Sequence, residues 1–316
     1  MRSLIKSCLV STVWVAILCS NSNALAAPVA YRSVDIDGVQ VAYREAGAAN
    51  KPTLLLLHGV PSSSRMYDGL MRKLGDEYHL LAPDYPGFGN SDAPDPATFS
   101  YTFDHLAEVT AKFTDALGLQ RYVLVMQDYG APVGMRLAMA RPAAVKAMVF
   151  QNGNVYEDGL GPMWAKRKPF WADRAAHEKE VVAAHQSLAV TRGRHVGTDP
   201  DVSAYDPDLW MDEYAYLNRP GQARIQADLA YDYQNNLAAY PLWQAWLKQR
   251  QLPTLVVWGK YDPNFLVPGA LAFKRDLPSA QVEIVDAGHF AMDTRLNEIS
   301  AFIAGFMRKN REVLTN

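Results

Sequence analysis

Cysteine is almost absent from the sequence. The chain has 316 residues but only two cysteines, Cys8 and Cys19, and both lie within the first 26 residues. From residue 27 onward there is no thiol for a disulfide framework, a cysteine nucleophile or a thiolate metal site. A chain of this length can bury an adequate core without disulfides, so their lack does not argue against a globular fold.

Signals for nucleic acid, metals and nucleotide cofactors are lacking as well. The formal net charge is −2 with no basic stripe, which argues against nucleic acid as the main partner. His177 and Glu178 begin like a zinc-protease motif, but Val181 stands where the second histidine must be. Gly87 and Gly89 are not followed by a third glycine at the dinucleotide spacing, and no Walker-type phosphate loop occurs. We therefore expect no metal and no organic cofactor.

The first residues have the three-part pattern of a secretory signal peptide. Two basic residues precede an apolar run from Leu9 to Leu18, and alanines near residue 26 fit a small-x-small cleavage site. The run is too short to span a bilayer comfortably, although an uncleaved membrane anchor is the alternative. The pattern predicts a signal peptide over residues 1–26 and export to the periplasm or medium, without stable membrane insertion after cleavage. The remaining chain would carry 29 basic and 33 acidic residues, a net charge of −4.

From about residue 33, short β-rich runs alternate with helical patterns. The stretch "SVDIDGVQVAYREA" predicts a hairpin that turns at Asp37–Gly38. Continuous apolar runs typical of buried parallel strands follow, among them "TLLLLHG", "HLLAPDYPGFG", "YVLVM", "AMVFQNG", "TLVVWG" and "QVEIVDAGH". This alternation predicts an α/β fold with a mostly parallel, eight-stranded sheet and helices on both faces.

One long stretch interrupts the alternation. Between residues 155 and 250 no strand run is evident, and helical patches such as "ADRAAHEKEVVAAHQSLA" occur instead. The strand "TLVVWG" then resumes the sheet. The sequence therefore predicts a helical cap over residues 155–250, inserted into a core formed by residues 27–154 and 251–316.

Polar side chains follow the predicted strands where ligands bind in an open α/β sheet, at the carboxyl ends of the strands. Asp128 follows "YVLVM", Asp262 follows "TLVVWG" and His289 follows "QVEIVDAG". A lone aspartate after a strand is usually a turn residue or a helix cap. Here, however, two carboxylates and a histidine fall on three strand ends in that order.

This order, nucleophile, acid and histidine, is that of the α/β-hydrolase fold. The chain resembles that superfamily in five further stretches: "HGVP", "DYPGFGNSD", "MQDYG", "WGKYDPNF" and "AGHF". Met126 departs from the usual glycine of the nucleophile turn, a departure that members with an aspartate nucleophile often tolerate. Because Asp128 occupies the position where many hydrolases carry serine, the resemblance is to the aspartate-nucleophile branch, which includes epoxide hydrolases and haloalkane dehalogenases.

An aspartate nucleophile implies a particular chemistry. A carboxylate is already ionised at neutral pH, and its natural target is an sp³ carbon that bears a leaving group. Attack gives an alkyl ester of Asp128, which His289 would hydrolyse as a general base while Asp262 orients its imidazole. The backbone N–H groups of Val60 and Tyr129 would form the oxyanion hole.

The resemblance also indicates which leaving group the enzyme is expected to act on. Haloalkane dehalogenases typically carry a tryptophan beside the nucleophile and an asparagine after "HG", whereas this chain has Tyr129 and Val60. Fluoroacetate dehalogenases carry arginine beside the nucleophile, which Tyr129 and Pro132 do not supply. Epoxide hydrolases use cap tyrosines, one of them in a Tyr-Arg-Asn-like motif that Tyr233-Gln234-Asn235 resembles. We therefore expect Tyr233 to protonate the opened epoxide, with Tyr231 as second candidate; a core aromatic is the alternative for Tyr233.

The substrate pocket is predicted from residues near the strand ends and from the cap. Asn152 could hold Asp262, hold the water or cap a strand. A cap tryptophan could line an apolar pocket or donate to a halide. The candidate substrate-binding residues are His58, Pro61, Asn152, Trp164, Trp171 and Tyr231. The sequence thus predicts a cofactor-free hydrolase of a small apolar organic substrate. Epoxide hydrolysis is favoured, haloalkane dehalogenation is the first alternative, and a catalytically idle binding protein of the same fold is the second.

Overall fold

The computed structural model describes residues 27–315, so the predicted signal peptide lies outside the described residues. A single sheet of eight strands forms the centre, in the order β1-β2-β4-β3-β5-β6-β7-β8. The strands are β1 Val29–Ile36, β2 Val39–Ala46, β3 Thr53–Leu57, β4 His79–Pro83, β5 Tyr122–Gln127, β6 Val145–Gln151, β7 Thr254–Gly259 and β8 Gln281–Val285.

The strand directions match the sequence patterns. Strands β1 and β2 form an antiparallel hairpin whose turn residues, Asp37 and Gly38, have φ angles of 54° and 84°, as a two-residue turn between twisted strands requires. Strand β2 also runs antiparallel to β4, and β3 to β8 are mutually parallel. The predicted mostly parallel, eight-stranded sheet is confirmed.

Helices cover both faces of the sheet. On one face α2, α3 and α9 bury apolar side chains against the strands, and on the other face α1, α10 and α11 do so. These helices are α1 Asp68–Leu74, α2 Phe103–Ala116, α3 Gly130–Ala140, α9 Val267–Asp276, α10 Met292–Lys309 and α11 Arg311–Thr315. Since both faces are covered, the inner strands can be apolar throughout.

The regular elements between β6 and β7 are all helical. They form the cap, which has three short 3₁₀-helices, Glu157–Gly159, Pro162–Arg167 and Val202–Ala204, and five α-helices. The α-helices are α4 Lys168–Ala172, α5 Arg174–His185, α6 Leu188–Val196, α7 Asp208–Leu217 and α8 Gln222–Arg250. Within residues 27–315, every helix is too short or too polar to cross a membrane.

A buried ionic triad joins the cap to the core. The ring of His195, on α6, lies 2.7 Å from Glu213 on α7 through Nε2 and 2.7 Å from Asp293 on α10 through Nδ1. None of the three side chains is more than 7% exposed. Burial opposes the charge on the imidazole, but the carboxylates of Glu213 and Asp293 outweigh it and raise the pKa of His195 to about 9. At neutral pH the triad therefore holds an imidazolium between two carboxylates.

Replacing His195 with glutamine is expected to lower the free energy of unfolding by about 3–5 kcal/mol at pH 6.5, because it leaves two buried carboxylates without their cation. The folded-state pKa of about 9 lies above the ordinary value of 6.5. The stabilisation is therefore complete below pH 6.5 and is lost as the pH rises through 9. Urea unfolding at pH 6.5 and pH 9.5 measures both effects.

The matched control is His177→Gln, which changes a partly exposed histidine on α5 and should change stability little at either pH. If the stability that H195Q loses is equal at the two pH values, or no larger than the loss in H177Q, the charge of His195 does not stabilise the contact between cap and core.

Candidate active site

Asp128 lies in a sharp turn between β5 and α3. Its φ angle is 48°, in the left-handed region that non-glycine residues rarely adopt. The loop after β3 packs directly against this turn. A Cβ on Gly59 would overlap the Cβ of Asp128, and a Cβ on Gly130 would overlap the carbonyl of Leu57. These glycines let two backbones approach closely, and the strained turn presents the Asp128 carboxylate at the end of the sheet.

The two carboxylate oxygens of Asp128 have different neighbours. Oδ1 accepts a hydrogen bond from the backbone N–H of Val60 at 2.9 Å. Oδ2 lies 3.6 Å from Nε2 of His289. Tyr129 directly follows Asp128 and precedes the first residue of α3, where helical N–H groups have no partner within the helix. The structure thus places both predicted oxyanion-hole residues, Val60 and Tyr129, beside the carboxyl group.

His289 is held on its far side by Asp262. Nδ1 of His289 lies 2.6 Å from Oδ2 of Asp262. The other oxygen of Asp262 accepts the backbone N–H groups of Asn264 and Phe265, at 2.7 and 3.1 Å. Both Asp262 oxygens are therefore hydrogen-bonded, which fixes the carboxylate that orients the imidazole.

Asn152 completes this support. Its Nδ2 donates to Oδ2 of Asp262 at 2.8 Å, and its Oδ1 accepts the backbone N–H of Gly259 at 2.9 Å. Of the roles left open by the sequence, the structure assigns Asn152 to holding Asp262. The prediction that it contacts substrate is corrected, because its amide is used on both sides.

The charge state of His289 follows from its surroundings. Burial disfavours the imidazolium, but the charges of Asp262 and Asp128 outweigh it and raise the pKa of His289 to about 10. The side-chain amide nitrogen of Gln127 lies 2.9 Å from Nε2. Gln127 was given no role from the sequence, although its position, one residue before the nucleophile, placed it near the site.

A small cavity of about 40 Å³ lies over Asp128. The core contributes Val60, Asp128, Tyr129, Asn264 and His289 to its lining, and the cap contributes Met163, Trp164, Arg167, His185 and Arg194. Trp164 alone among the predicted substrate-binding residues lines it. The cap therefore supplies about half of the pocket wall, and much of that half is cationic or polar rather than apolar.

Neither predicted tryptophan offers a free indole N–H to this cavity. Nε1 of Trp164 donates to the carbonyl of Asn264 at 2.9 Å, and Nε1 of Trp171 donates to the carbonyl of Ala230 at 2.9 Å. A halide held by either of these N–H groups would have to displace a backbone hydrogen bond. Trp171 does not line the cavity over Asp128.

Tyr233 lies behind the cavity wall. Its buried ring packs against Tyr129 at 5.8 Å and Trp164 at 4.5 Å between ring centroids. Its hydroxyl is hydrogen-bonded with that of Tyr240, and burial, with the nearby charges, raises its pKa well above the ordinary value. Tyr231, the second candidate, packs against Phe170 and lines a different cavity.

His58 and Pro61 support the loop that carries Val60. The ring of His58 lies 3.0 Å from the carbonyl of Gly59 through Nδ1, and its Nε2 accepts the N–H of Tyr85 at 3.3 Å. Pro61 is buried next to Val60. Neither lines the cavity over Asp128.

Sequence reasoning missed the polar residues that the cap places over Asp128. Arg167 ends the 3₁₀-helix Pro162–Arg167, His185 ends α5, and Arg194 lies on α6. No motif links these positions, because the fold of the cap alone brings them together. In the part of the chain that the structure describes, no group of His, Cys, Asp or Glu is arranged to hold a metal ion.

Comparisons with known proteins identify the family of the chain. The family model for the alpha/beta hydrolase fold matches residues 52–296. An uncharacterized hydrolase of Saccharomyces cerevisiae is 38% identical over 279 residues, which cover 87% of this chain and 95% of that protein. Haloalkane dehalogenase 2 of Mycobacterium tuberculosis is 30% identical over 261 residues, which cover 80% of this chain and 86% of that protein.

The fold also matches solved structures. A putative epoxide hydrolase from Pseudomonas aeruginosa superposes with a TM-score of 0.74 at 20% identity, over 93% of this chain and all of that one. Together with the family model and the two relatives, this shows that the chain is a hydrolase that belongs to the alpha/beta hydrolase fold family.

Proposed function

We propose that the protein hydrolyses a small organic electrophile at an sp³ carbon through an alkyl ester on Asp128, and that the electrophile is an epoxide. One observation carries the proposal. The Asp128 carboxylate lies between the N–H of Val60, at 2.9 Å, and Nε2 of His289, at 3.6 Å, while Asp262 holds the other side of the imidazole. No activating base is required for a carboxylate, and a histidine at this distance can act on water instead.

In the first step Oδ2 of Asp128 attacks the carbon, a new C–O bond forms, and the bond to the leaving group breaks. An opened epoxide remains attached through its other carbon and must take up a proton. We assign this proton to the hydroxyl of Tyr233, whose ring packs on the lining residues Tyr129 and Trp164, and which must turn from Tyr240 toward the cavity to donate it. A halide would instead leave as a free anion and take no proton. Oδ1 is then the carbonyl oxygen of the ester, still bonded to the N–H of Val60.

In the second step water attacks Cγ of the ester while Nε2 of His289 takes its proton. The charge that develops on Oδ1 is stabilised by the N–H groups of Val60 and Tyr129. The alcohol oxygen leaves with a proton from His289, and the remaining proton restores the acid through solvent. An epoxide thus yields a diol, and a haloalkane yields an alcohol, a halide and a proton.

The ester itself prepares the base. Two carboxylates hold the pKa of His289 at about 10 in the resting protein, so its imidazole is protonated at neutral pH. Esterification removes the charge of Asp128, so the pKa of His289 falls, the imidazolium gives up its proton to solvent, and Nε2 becomes free to accept one from water. The first step therefore switches His289 into the form that the second step needs.

Dehalogenation is the second candidate. It is favoured by the 30% identity to a haloalkane dehalogenase over most of both chains. It is disfavoured by the indole N–H groups of Trp164 and Trp171, which donate to backbone carbonyls. A catalytically idle binding protein would have no need of Asp128, His289 and Asp262 together. On the pattern of residues 1–26, we also propose that the enzyme acts after export to the periplasm or medium.

Replacing His289 with glutamine is expected to trap the ester on Asp128, because the second step loses its base. Intact-protein mass spectrometry after incubation with styrene oxide and with 1-bromobutane would show the added mass. The double variant that also carries Asp128→Asn is the control and should show no adduct. Absence of any adduct, together with no diol and no bromide from the unaltered protein, would refute the mechanism; diol without bromide identifies the epoxide branch.

Replacing Asp128 with asparagine is expected to lower the pKa of His289, because it removes one of the two charges that raise it. An NMR titration of the His289 ring measures this. Asp286→Asn is the control, since Asp286 is an exposed carboxylate three residues away that pairs with Lys260. If the pKa of His289 is the same in D128N as in D286N, the proposed switch is wrong.

Replacing Tyr233 with phenylalanine is expected to slow epoxide opening by about 10²- to 10⁴-fold, the range for loss of a general acid. The rate of halide release from a bromoalkane should not change, because that step takes no proton. Tyr240→Phe removes a buried hydroxyl from the same helix and the partner of Tyr233, so it controls for disruption of the pair. If Y233F is no slower than Y240F in single-turnover assays, the acid is another group.

A further inference from the structure

Two arginines lie at the boundary between the cavity over Asp128 and an open groove on the surface. Arg167 and Arg194 line the cavity over Asp128 and also line an adjoining open groove of about 460 Å³. Met163 and Asn264 are shared by the two spaces in the same way, and apolar residues such as Val181 line the outer groove. A molecule that passes from the groove to Asp128 must therefore pass both guanidinium groups.

Neither guanidinium forms an ion pair with a carboxylate among the described residues. Nη1 of Arg167 and Nη1 of Arg194 are buried without a hydrogen bond among the described residues, and neither side chain forms an ion pair there. By contrast, the similarly half-buried Arg174 pairs with Asp228 at 2.5 Å. A guanidinium stays charged, and leaving a buried cation unpaired is costly. Such an arrangement indicates that an anion from outside completes the site.

Cationic and polar nitrogens are concentrated on the cap side of this cavity. Burial lowers the pKa of both arginines; the charge of Arg194 lowers that of Arg167 further, whereas the more distant charges of Asp128 and Glu213 oppose the shift at Arg194. Burial, Arg194 and Arg167 also hold the pKa of His185 well below its usual value. Nδ1 of His185 lies 2.8 Å from the carbonyl of Val181, and its buried Nε2 is another polar atom without a partner. Three nitrogen-bearing side chains thus converge opposite Asp128.

We propose that the substrate carries a carboxylate beside its electrophilic carbon, and that Arg167 and Arg194 bind this carboxylate. The inference rests on the proposed function of Asp128. The inner cavity of about 40 Å³ has room for about three water-sized groups, so the part that enters is short. The substrate class is an oxirane carboxylic acid, with 2-halo acids as the corresponding halide substrates.

This assignment meets an electrostatic requirement of the reaction. An anionic substrate is repelled by the carboxylate that must attack it, and two guanidinium groups compensate this repulsion and can bind both carboxylate oxygens. Oδ2 of Asp128 then attacks the carbon beside the bound carboxylate. The C–O bond to the oxirane oxygen breaks and that oxygen takes up a proton, or the carbon–halogen bond breaks and halide leaves. The residue beside the nucleophile, Tyr129, is not a cation. The cations that bind the carboxylate therefore come from the cap, on the opposite wall of the cavity.

The test compares substrates of equal shape and different charge: oxirane-2-carboxylate with oxirane-2-carboxamide, and chloroacetate with chloroacetamide. We expect the full-length or signal-cleaved protein to have a higher kcat/KM for the acid of each pair that it turns over. Incubation of the H289Q variant with all four compounds is measured in parallel by intact mass. A preference for the amides, or equal values, would overturn the inference and leave the proposed function standing. If none of the four compounds gives an adduct or turnover while styrene oxide or 1-bromobutane does, the inference is refuted; if those two give none either, the proposed function fails instead.

The variants Arg194→Gln and Arg167→Gln separate a carboxylate site from a merely structural role. Each should lower kcat/KM for the acid by on the order of 10- to 100-fold, the loss expected for charge-assisted hydrogen bonds. The amide should lose less than about threefold, which also shows that the variant is folded. Arg194→Lys should recover part of the activity on the acid. Arg192→Gln is the matched control, because Arg192 is exposed on the same helix and packs over Trp210; it should behave like the unaltered protein.

One outcome would reassign the arginines. If R194Q and R167Q slow chloroacetamide as much as chloroacetate, the guanidinium groups act on the leaving group and the carboxylate site is refuted. If neither variant differs from R192Q on the acids, the arginines have no part in binding and the inference is refuted as well.

Discussion

The active site depends on one close approach between two loops. The turn after β3 and the turn after β5 touch through backbone, at Gly59 against Asp128 and at Gly130 against Leu57. This contact places the N–H of Val60 on Oδ1 of Asp128, and the left-handed turn directs the other oxygen toward His289. A side chain at either glycine would separate the loops, so the oxyanion hole, the nucleophile and the base share a single steric constraint.

Buried charge organises the rest of the site. Asp128 and Asp262 flank His289, and Asn152 and two backbone N–H groups hold Asp262 in place. This set is compact, and most of its polar atoms are satisfied within the core. The wall that the cap contributes is different, because the guanidinium groups of Arg167 and Arg194 face the cavity without carboxylate partners. The catalytic groups of the core therefore satisfy one another, whereas the arginines of the cap need a bound ligand as their partner.

The sequence predicts the core better than the cap, and the reason is physical. Parallel strands place their ends at one edge of the sheet, so apolar runs suffice to bring Asp128, Asp262 and His289 together before any coordinates are known. The hairpin at Asp37–Gly38 and the eight-stranded sheet follow from equally local signals. Cap helices have no such shared edge. Arg167, His185 and Arg194 meet only because the 3₁₀-helix Pro162–Arg167, α5 and α6 pack in a particular way, which no spacing in the sequence encodes.

The same difference between core and cap explains which predicted residues lie away from the cavity over Asp128. His58 and Pro61 are close to the nucleophile along the sheet edge, but hydrogen bonds to backbone and packing use them to support the loop. Trp171 and Tyr231 were predicted from residue type, and residue type does not determine the direction in which a cap helix orients an aromatic ring. Asn152 is an intermediate case. Its position at a strand end indicated that it lies near the site, but only the structure shows that it donates to Asp262.

The triad of His195, Glu213 and Asp293 has a consequence for how molecules reach the site. Swinging the cap away from the core would pull an imidazolium out from between two buried carboxylates, so a wide opening of the whole cap is energetically expensive at neutral pH. Exchange is then left to local motions of side chains along the groove beside α5 and α6. Ligands are then selected while they move past the arginines toward Asp128. The rate of product release depends on how readily Arg167 and Arg194 dissociate from the product.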